Sequence, residues 1–198
     1  NMRKINYPLI ISDFDGTLLR SDHTISDKTR KAIDDYRKAG GQFAVCTGRT
    51  VDSILPRVRE LDLKGLVACF QGAVVVDIES GKLLVDGAIP QDGAVKICRF
   101  LESLGVHIHV YALQEYYSNQ DDALLRMYET ISGVKAKVVT DMPLSQYILS
   151  QDIKVRKVLV LVSAEERGAI YQAMLESLGE EYYVTYSTSF LVEVSGKE

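Results

Sequence analysis

The 198-residue sequence has little cysteine, no clusters of basic residues and no long apolar stretch. Its three cysteines, Cys46, Cys69 and Cys98, are widely spaced and stand among apolar neighbours. An odd number of such residues argues against a disulfide framework, and their spacing argues against a CxxC metal site. Low cysteine usage of this kind is typical of a reducing compartment, so we expect a cytoplasmic location.

Two classes of partner are disfavoured as well. Lys and Arg total 23 against 27 Asp and Glu, so the sequence has no excess of cations to displace counterions from nucleic acid or from an anionic membrane. No segment approaches the roughly 20 apolar residues that span a bilayer, and the first residues lack the apolar part of a secretion signal. These absences favour a small polar ligand.

The apolar residues that are present follow the pattern of an α/β domain. With 46% hydrophobic residues the chain can bury a core. Residues 7–12 form a nearly continuous apolar run, which predicts a strand buried on both faces of a parallel sheet. A helical period and two glycines follow, and residues 43–47 predict a second buried strand. Because this order forms a right-handed crossover, we expect Asp13 and Thr47 to lie side by side at one sheet edge.

The remaining chain predicts one more core helix and strand, and then a different module. Residues 50–61 carry apolar side chains on one helical face, although Pro56 is expected to kink or restart that helix. Residues 66–70 predict a third strand, and a hairpin begins near residue 74. Beyond it we expect an α+β module with helices at residues 95–104, 121–131, 144–151 and 165–178 and strands at residues 106–111, 136–139, 158–163, 182–186 and 190–194.

The chemically distinctive residues directly follow the first strand, in the segment Asp13-Phe14-Asp15-Gly16-Thr17. Alternate side chains share a side, so Asp13 and Asp15 can converge where open α/β sheets bind their ligands. Gly16 lets the backbone turn sharply and come close to that place. Two carboxylates a few ångströms apart repel by about 1 to 4 kcal/mol, so the arrangement calls for a cation. Mg²⁺, which prefers oxygen ligands, is the natural candidate.

Two other interpretations of this segment compete with the Mg²⁺ site. Aspartates after a strand often only cap a turn or the next helix. A calcium loop of the EF-hand type also contains DxDG, but it needs glycine at its sixth position and helices on both sides. In this sequence glycine is fourth and a strand precedes, which leaves the Mg²⁺ site as the favoured interpretation.

Two segments together resemble the first two motifs of the haloacid dehalogenase superfamily. These are DFDGTLL after an apolar strand and VCTGR at the end of the next strand. The α+β module resembles the type IIB cap of Cof-like phosphatases. The resemblance implies an α/β fold, with a Rossmann-like parallel-sheet core and an inserted type IIB cap. It also implies a Mg²⁺-dependent phosphatase that hydrolyses a small phosphorylated metabolite, such as a sugar phosphate, through an aspartyl-phosphate.

Carried over to this sequence, the resemblance makes Asp13 the nucleophile and Asp15 the general acid and base. It also implies that Asp13 and Asp15 hold the Mg²⁺ ion, the second through its backbone carbonyl. Thr47 and backbone N–H groups near it can donate to the transferring phosphoryl group, whose negative charge needs stabilisation. Arg49 is either a fork for phosphate or a solvated residue of the next helix. The expected phosphate-binding residues are Gly16, Thr47, Gly48 and Arg49.

Other polar residues are weaker candidates. His107 and His109 alternate along one expected strand, but two histidines without a third ligand make a poor metal site, so we interpret them as ordinary strand residues. Residues 115–119 combine tyrosines with Ser and Asn, which suits either sugar contact or a strand. Gln71-Gly72-Ala73 stands where Cof-like proteins have Asn-Gly-Ala, and it keeps the Gly-Ala turn.

The resemblance further implies a third-motif Lys and an acidic fourth motif, which we expect beyond Glu198. Lys197 is followed by a single residue, so we interpret it as an exposed terminal Lys. We expect residues 1–84 to be the N-terminal part of the core, residues 85–194 the cap and residues 195–198 the return to the core. Such a chain should bind Mg²⁺ weakly, be close to inactive and leave one sheet edge open.

Two alternatives to the phosphatase remain. A phosphomutase similar to phosphomannomutase shares the DxDGT start and a comparable cap. A phosphate-ligand binding or regulatory protein would keep the pocket without turnover. The identity of the substrate and the oligomeric state are not encoded in either motif.

Overall fold

The computed structural model describes residues 5–197, except for the side chain of Ser187. The chain divides into two compact units, Asn1–Asp86 and Gly87–Glu198. The expected boundaries of core and cap stay predictions. In the described part of the chain, no helix combines the length and the apolar character needed to cross a membrane.

The first unit is built on a five-stranded sheet with the strand order β1-β2-β3-β4-β5. Its strands are β1 (Leu9–Asp13), β2 (Gln42–Cys46), β3 (Leu66–Cys69), β4 (Val74–Asp77) and β5 (Leu83–Asp86). The first three strands pair in parallel, and β4 and β5 run antiparallel to their neighbours. The crossover and the hairpin predicted from the sequence are therefore confirmed.

Two helices accompany this sheet, α1 (Asp27–Lys38) and α2 (Val51–Glu60). Ser26 caps α1, because its Oγ accepts from Thr29 N at 3.1 Å. The helix α2 continues through Pro56, so of the expected kink or restart the restart is wrong, and the kink stays a prediction. Burial of Ile54 and Val58 on either side of Pro56 offsets the loss of the backbone donor that proline lacks.

Strand β1 is less buried than its apolar sequence predicts. It lies at the edge of the sheet, and Leu9, Ile10 and Ile11 are 45%, 40% and 60% exposed. The expected burial on both faces is therefore wrong. Strand side chains point to the two faces of a sheet, so this exposure means that the elements within residues 5–197 do not cover both faces over β1. In addition, β1 pairs only with β2 and has one free backbone edge. The open sheet edge that the sequence analysis expected is present at β1, and such an apolar edge favours aggregation.

The second unit contains a six-stranded sheet ordered β10-β11-β9-β6-β7-β8, antiparallel except between β7 and β8. Its strands are β6 (His107–Tyr111), β7 (Tyr116–Ser118), β8 (Lys137–Val138), β9 (Lys157–Leu161), β10 (Tyr182–Thr188) and β11 (Leu191–Gly196). Its helices are α3 (Gln91–Ser103), α4 (Ala123–Ser132), α5 (Leu144–Ser150) and α6 (Arg167–Leu178). The expected α+β module is confirmed with ends shifted by a few residues, and β7 is an additional strand.

The two faces of this second sheet differ in chemistry. Ile108 and Val110 of β6 point into an apolar core that includes Leu101 of α3 and Met174 of α6. Because alternate residues of a strand face opposite sides, His107, His109 and Tyr111 lie on the other face, where they are also buried. One face is thus an ordinary hydrophobic core, and the other buries titratable side chains.

Candidate active site

The candidate active site lies at the carboxyl end of the parallel strands in the first unit. Asp13 is the last residue of β1 and pairs in register with Cys46, the last residue of β2. Thr47 follows Cys46, and its backbone N donates to Ala68 O at 2.9 Å, which extends the pairing toward β3. The predicted placement of Asp13 beside Thr47 at one sheet edge is confirmed.

The residues after β1 form a tight irregular turn. Asp15 has an extended backbone, with φ −77° and ψ 122°, and Gly16 is left-handed, with φ 75°. Leu19 N closes the turn on Phe14 O at 2.9 Å. The Phe14 side chain is fully buried, whereas Asp13 and Asp15 are exposed. The buried ring anchors the turn, and the glycine supplies the backbone conformation that other residues adopt rarely.

Both aspartates already have side-chain partners. Asp13 Oδ2 accepts from Thr17 Oγ1 at 2.9 Å. Arg49 holds Asp15 with two bonds, from Nε to Oδ2 at 2.7 Å and from Nη2 to Oδ1 at 2.8 Å. These charge-assisted bonds lower the pKa of Asp15 below its ordinary value, although partial burial opposes them. In this state Asp15 is an ionised carboxylate with a fixed orientation.

The pairing with Asp15 bears on the two alternatives for Arg49, a phosphate ligand or a solvated residue of the next helix. Its Nη1 also donates to Ser53 Oγ at 3.1 Å, and 26% of its side chain is exposed. Arg49 is therefore not the solvated helix residue of the second alternative. Its role in phosphate binding stays a prediction.

A strained loop after β3 supports the Thr47 segment from the other side. Gln71 N donates to Thr47 O at 2.9 Å, and Phe70 N donates to Arg49 O at 3.0 Å. Phe70 and Gln71 have φ angles of 49° and 58°, a region that residues other than glycine adopt rarely. Such strain often occurs at functional sites, where surrounding contacts hold it in place. The sequence indicates the Gly-Ala turn here but gives no sign of the contact between this loop and Thr47.

Two further side chains of the site were missed. Thr17 binds Asp13, and Ser53 accepts from Arg49. Each partner stands four residues after the residue that it contacts. For Ser53 this spacing is not a usable signal, because Arg49 precedes the N-cap of α2 and the helix rule for residues four apart does not apply to it. For Thr17 it is not usable either, because the turn that brings it back to Asp13 is irregular.

The donor atoms fit Mg²⁺ in type and fall short in number. The Asp13 carboxylate and the Asp15 backbone carbonyl offer the hard oxygen ligands that this ion prefers. Across residues 5–197, however, no three His, Cys, Asp or Glu side chains are grouped so that they could hold a metal ion. These donors would form only part of a magnesium site, and the metal role of both aspartates stays a prediction.

The weaker candidate residues of the second unit, in residues 115–119 and at Lys197, have contacts that fit structural roles. Tyr116 and Tyr117 are buried within β7, which favours the strand interpretation of residues 115–119 over sugar contact. Lys197 is exposed, and its Nζ donates to Gly179 O at 2.6 Å and Glu180 O at 3.0 Å. These carbonyls follow the end of α6, so the interpretation of Lys197 as an exposed terminal residue is supported.

Replacing Arg49 by Met should lower the free energy of unfolding at pH 7 by about 1 kcal/mol or less, because the pair with Asp15 is partly exposed. The folded-state pKa of Asp15 is lowered, so this contribution is present above the ordinary pKa and is lost as pH falls through the lowered one. Urea unfolding at pH 7 and pH 3 measures the effect. Arg57→Met is the matched control, since Arg57 acts on Asp15 through charge alone. An Arg49→Met effect of equal size at both pH values would contradict the assignment.

Comparison with known proteins relates this geometry to a family. The family model for haloacid dehalogenase-like hydrolases matches residues 10–198. The protein YxeH of Bacillus subtilis (strain 168) is 24% identical over 199 residues, covering 97% of this chain and 71% of YxeH. A crystal structure from Thermotoga maritima matches with a TM-score of 0.81 at 24% identity, over 97% of this chain and 70% of that one. A sugar phosphatase of HAD subclass IIB matches with a TM-score of 0.70 at 18% identity, over 96% and 70%.

The structural matches confirm the expected fold class, an α/β core with a type IIB cap. The family model covers nearly the whole chain, including both motifs on which the resemblance was based. This chain belongs to the haloacid dehalogenase-like hydrolases.

Proposed function

We propose that this chain carries the nucleophile and the acid–base group of a Mg²⁺-dependent phosphatase acting on a small phosphorylated metabolite. The observation that carries the proposal is the register of β1 with β2, which puts Asp13 beside Thr47, with Asp15 two residues further on. A nucleophile, a phosphoryl-binding hydroxyl and a second carboxylate thus share one sheet edge. Membership of the family and the fold of a subclass IIB sugar phosphatase support a sugar phosphate as the substrate class.

The proposed reaction has two steps. The Asp13 carboxylate attacks phosphorus, the bond to the substrate oxygen breaks, and Asp15 protonates the departing alcohol. Water then attacks the aspartyl-phosphate while Asp15 takes its proton, which releases inorganic phosphate and restores Asp13. When bound by Asp13 and the Asp15 carbonyl, Mg²⁺ would offset negative charge on the phosphoryl group.

The neighbouring residues would bind the phosphoryl oxygens. The Thr47 hydroxyl and the backbone N–H of Gly48 are suited to donate to them, and Gly16 leaves room for close approach of the turn. Arg49 has one planar fork, which Asp15 occupies in this structure. A phosphate dianion would compete for that fork. The exchange would remove the bonds that lower the pKa of Asp15 and so allow it to act as an acid.

We also propose that residues beyond Glu198 complete the metal site, because the donors within residues 5–197 are too few. The test is a phosphate-release assay on the full natural protein with sugar phosphates, with Mg²⁺ and with a chelator. For the full natural protein we expect phosphate release with Mg²⁺ and no release with the chelator. The 198-residue chain should be nearly inactive and should bind Mg²⁺ weakly in calorimetric titration. Sugar-phosphate isomerisation without phosphate release would favour the phosphomutase, and phosphate binding without turnover would favour the binding protein. Tight Mg²⁺ binding by the 198-residue chain would contradict the incomplete site.

A further inference from the structure

The second unit buries a histidine pair that plays no part in the proposed reaction. His107 and His109 are 4% and 0% exposed on one face of β6. Their Nε2 atoms lie 3.2 Å apart. Ser118, the register partner of His109 on β7, places its Oγ 2.9 Å from His107 Nε2. From their alternation these histidines are expected to be ordinary strand residues, but their mutual contact and burial constrain their protonation.

The contacts limit the number of hydrogens that the pair can carry. A gap of 3.2 Å between two Nε2 atoms has room for one hydrogen. On the other side of the His107 ring, Nδ1 lies 3.2 Å from Asp122 Oδ2. The two atoms are not aligned as a hydrogen bond, but the carboxylate favours a second hydrogen on Nδ1. His109 Nδ1 has no hydrogen-bond partner within residues 5–197. The neutral pair thus places both of its hydrogens, and a third hydrogen would leave His109 Nδ1 protonated without an acceptor within residues 5–197.

The surrounding groups offset a further positive charge only in part. The titratable groups that face the pair are Asp122 and Tyr128 from α4, Tyr111 from β6, Tyr116 from β7, Lys157 from β9 and Glu193 from β11. Glu193 Oε2 lies 3.6 Å from Lys157 Nζ and is therefore committed to that ammonium group. Burial lowers the pKa of His109 to about 2, assisted by His107 and Lys157. Burial also lowers the pKa of His107, and Asp122 only partly opposes it.

Helix α4 packs over this pair through two contacts. Asp122 caps the helix, since its Oδ1 accepts from Leu125 N at 2.9 Å, while its Oδ2 faces His107. The Tyr128 ring lies 5.0 Å from the His109 ring. The helix has ten residues, and Leu124, Met127 and Ile131 on its outer side are exposed. The contacts of its inner side therefore decide whether α4 stays in place.

We propose that α4 is held by a proton-sensitive contact: it stays docked on β6 and β7 while His107 and His109 are uncharged, and it is released when they are protonated. The docked state binds protons less well than the released state, in which hydrated imidazoles regain their ordinary affinity. Docking is therefore at full strength above the ordinary histidine pKa of about 6.5, and it weakens as pH falls below that value. As pH falls, α4 is therefore released while the rest of the second unit stays folded.

Amide hydrogen exchange at pH 7.5 and pH 5.5 tests this directly. After correction for intrinsic exchange rates, the protection of Ala123–Ser132 should fall by about tenfold for each histidine that titrates only on release. The amides of α3 (Gln91–Ser103) are the internal reference: if α4 opens by itself, α3 should be more strongly protected than α4 at both pH values. Unchanged protection of α4 at pH 5.5 would overturn the proposal. Equal protection of α3 and α4 at both pH values would also overturn it, since that result means that both helices exchange only through unfolding of the whole unit.

A variant isolates the contribution of His109. His109→Phe keeps an aromatic ring among the tyrosines and removes a titratable group, so the acid-dependent loss in α4 should shrink by about tenfold. His23→Gln, at an exposed position in the first unit, is the matched control and should respond as the unmodified protein does. An undiminished response of His109→Phe would overturn the assignment to this pair. If His109→Phe does not fold, the comparison of α4 with α3 in the unmodified protein remains decisive.

Discussion

Asp13→Asn should abolish phosphate release by the full natural protein, with kcat lowered by a factor on the order of 10⁴ or more. An amide is a poor nucleophile toward phosphorus, so the aspartyl-phosphate should not form. The same change removes an anionic ligand from the expected Mg²⁺ site. Steady-state phosphate release and trapping of the phosphorylated enzyme would measure the two parts of this expectation.

The fold should tolerate this substitution. The amide oxygen that replaces the carboxylate can still accept from Thr17 Oγ1, and the position is exposed, so thermal unfolding should change little. Asp34→Asn removes the same charge from an exposed position of α1 and should keep normal turnover. Turnover near that of the unmodified protein in Asp13→Asn, or a phosphorylated residue still trapped in it, would refute Asp13 as the nucleophile.

Asp15→Asn should lower kcat for an alkyl phosphate by about 10² to 10⁴-fold, because an amide can neither protonate the departing oxygen nor take a proton from water. Mg²⁺ affinity should persist if the backbone carbonyl of Asp15 is the ligand, since the substitution leaves that atom in place. A sugar phosphate and p-nitrophenyl phosphate should differ in sensitivity. The nitrophenolate leaves with little need for a proton, so its first step should be affected less.

Arg49→Met is the informative companion to Asp15→Asn. Both changes break the same bidentate pair, but Arg49→Met keeps the carboxylate. If proton transfer is the role of Asp15, Arg49→Met should mainly raise KM through the lost phosphate contact, and Asp15→Asn should mainly lower kcat. Equal losses for both leaving groups in Asp15→Asn, together with lost Mg²⁺ binding, would show that Asp15 acts through the metal instead.

The first-unit site illustrates what residue pattern alone can predict. An apolar run that ends in DxDGT places Asp13 at the carboxyl end of a strand, and the crossover rule brings Thr47 next to it. The left-handed Gly16 could likewise be expected, because glycine is the residue that adopts this conformation at little cost. These features depend on short-range preferences of the backbone and on the handedness of one connection. The chain contains all of that information within a few residues.

Other features follow from contacts between residues that are distant in the chain. Arg49 lies 34 residues from Asp15, and its choice between phosphate, solvent and carboxylate depends on how the β2–α2 segment packs beside the first turn. The exposure of β1 depends on which elements pack over the faces of the sheet at that strand, which an apolar sequence does not reveal. Alternation showed that His107 and His109 share a face, but the docking of α4 on that face decides their burial. Periodicity tells which side chains point together, whereas long-range packing decides what they meet.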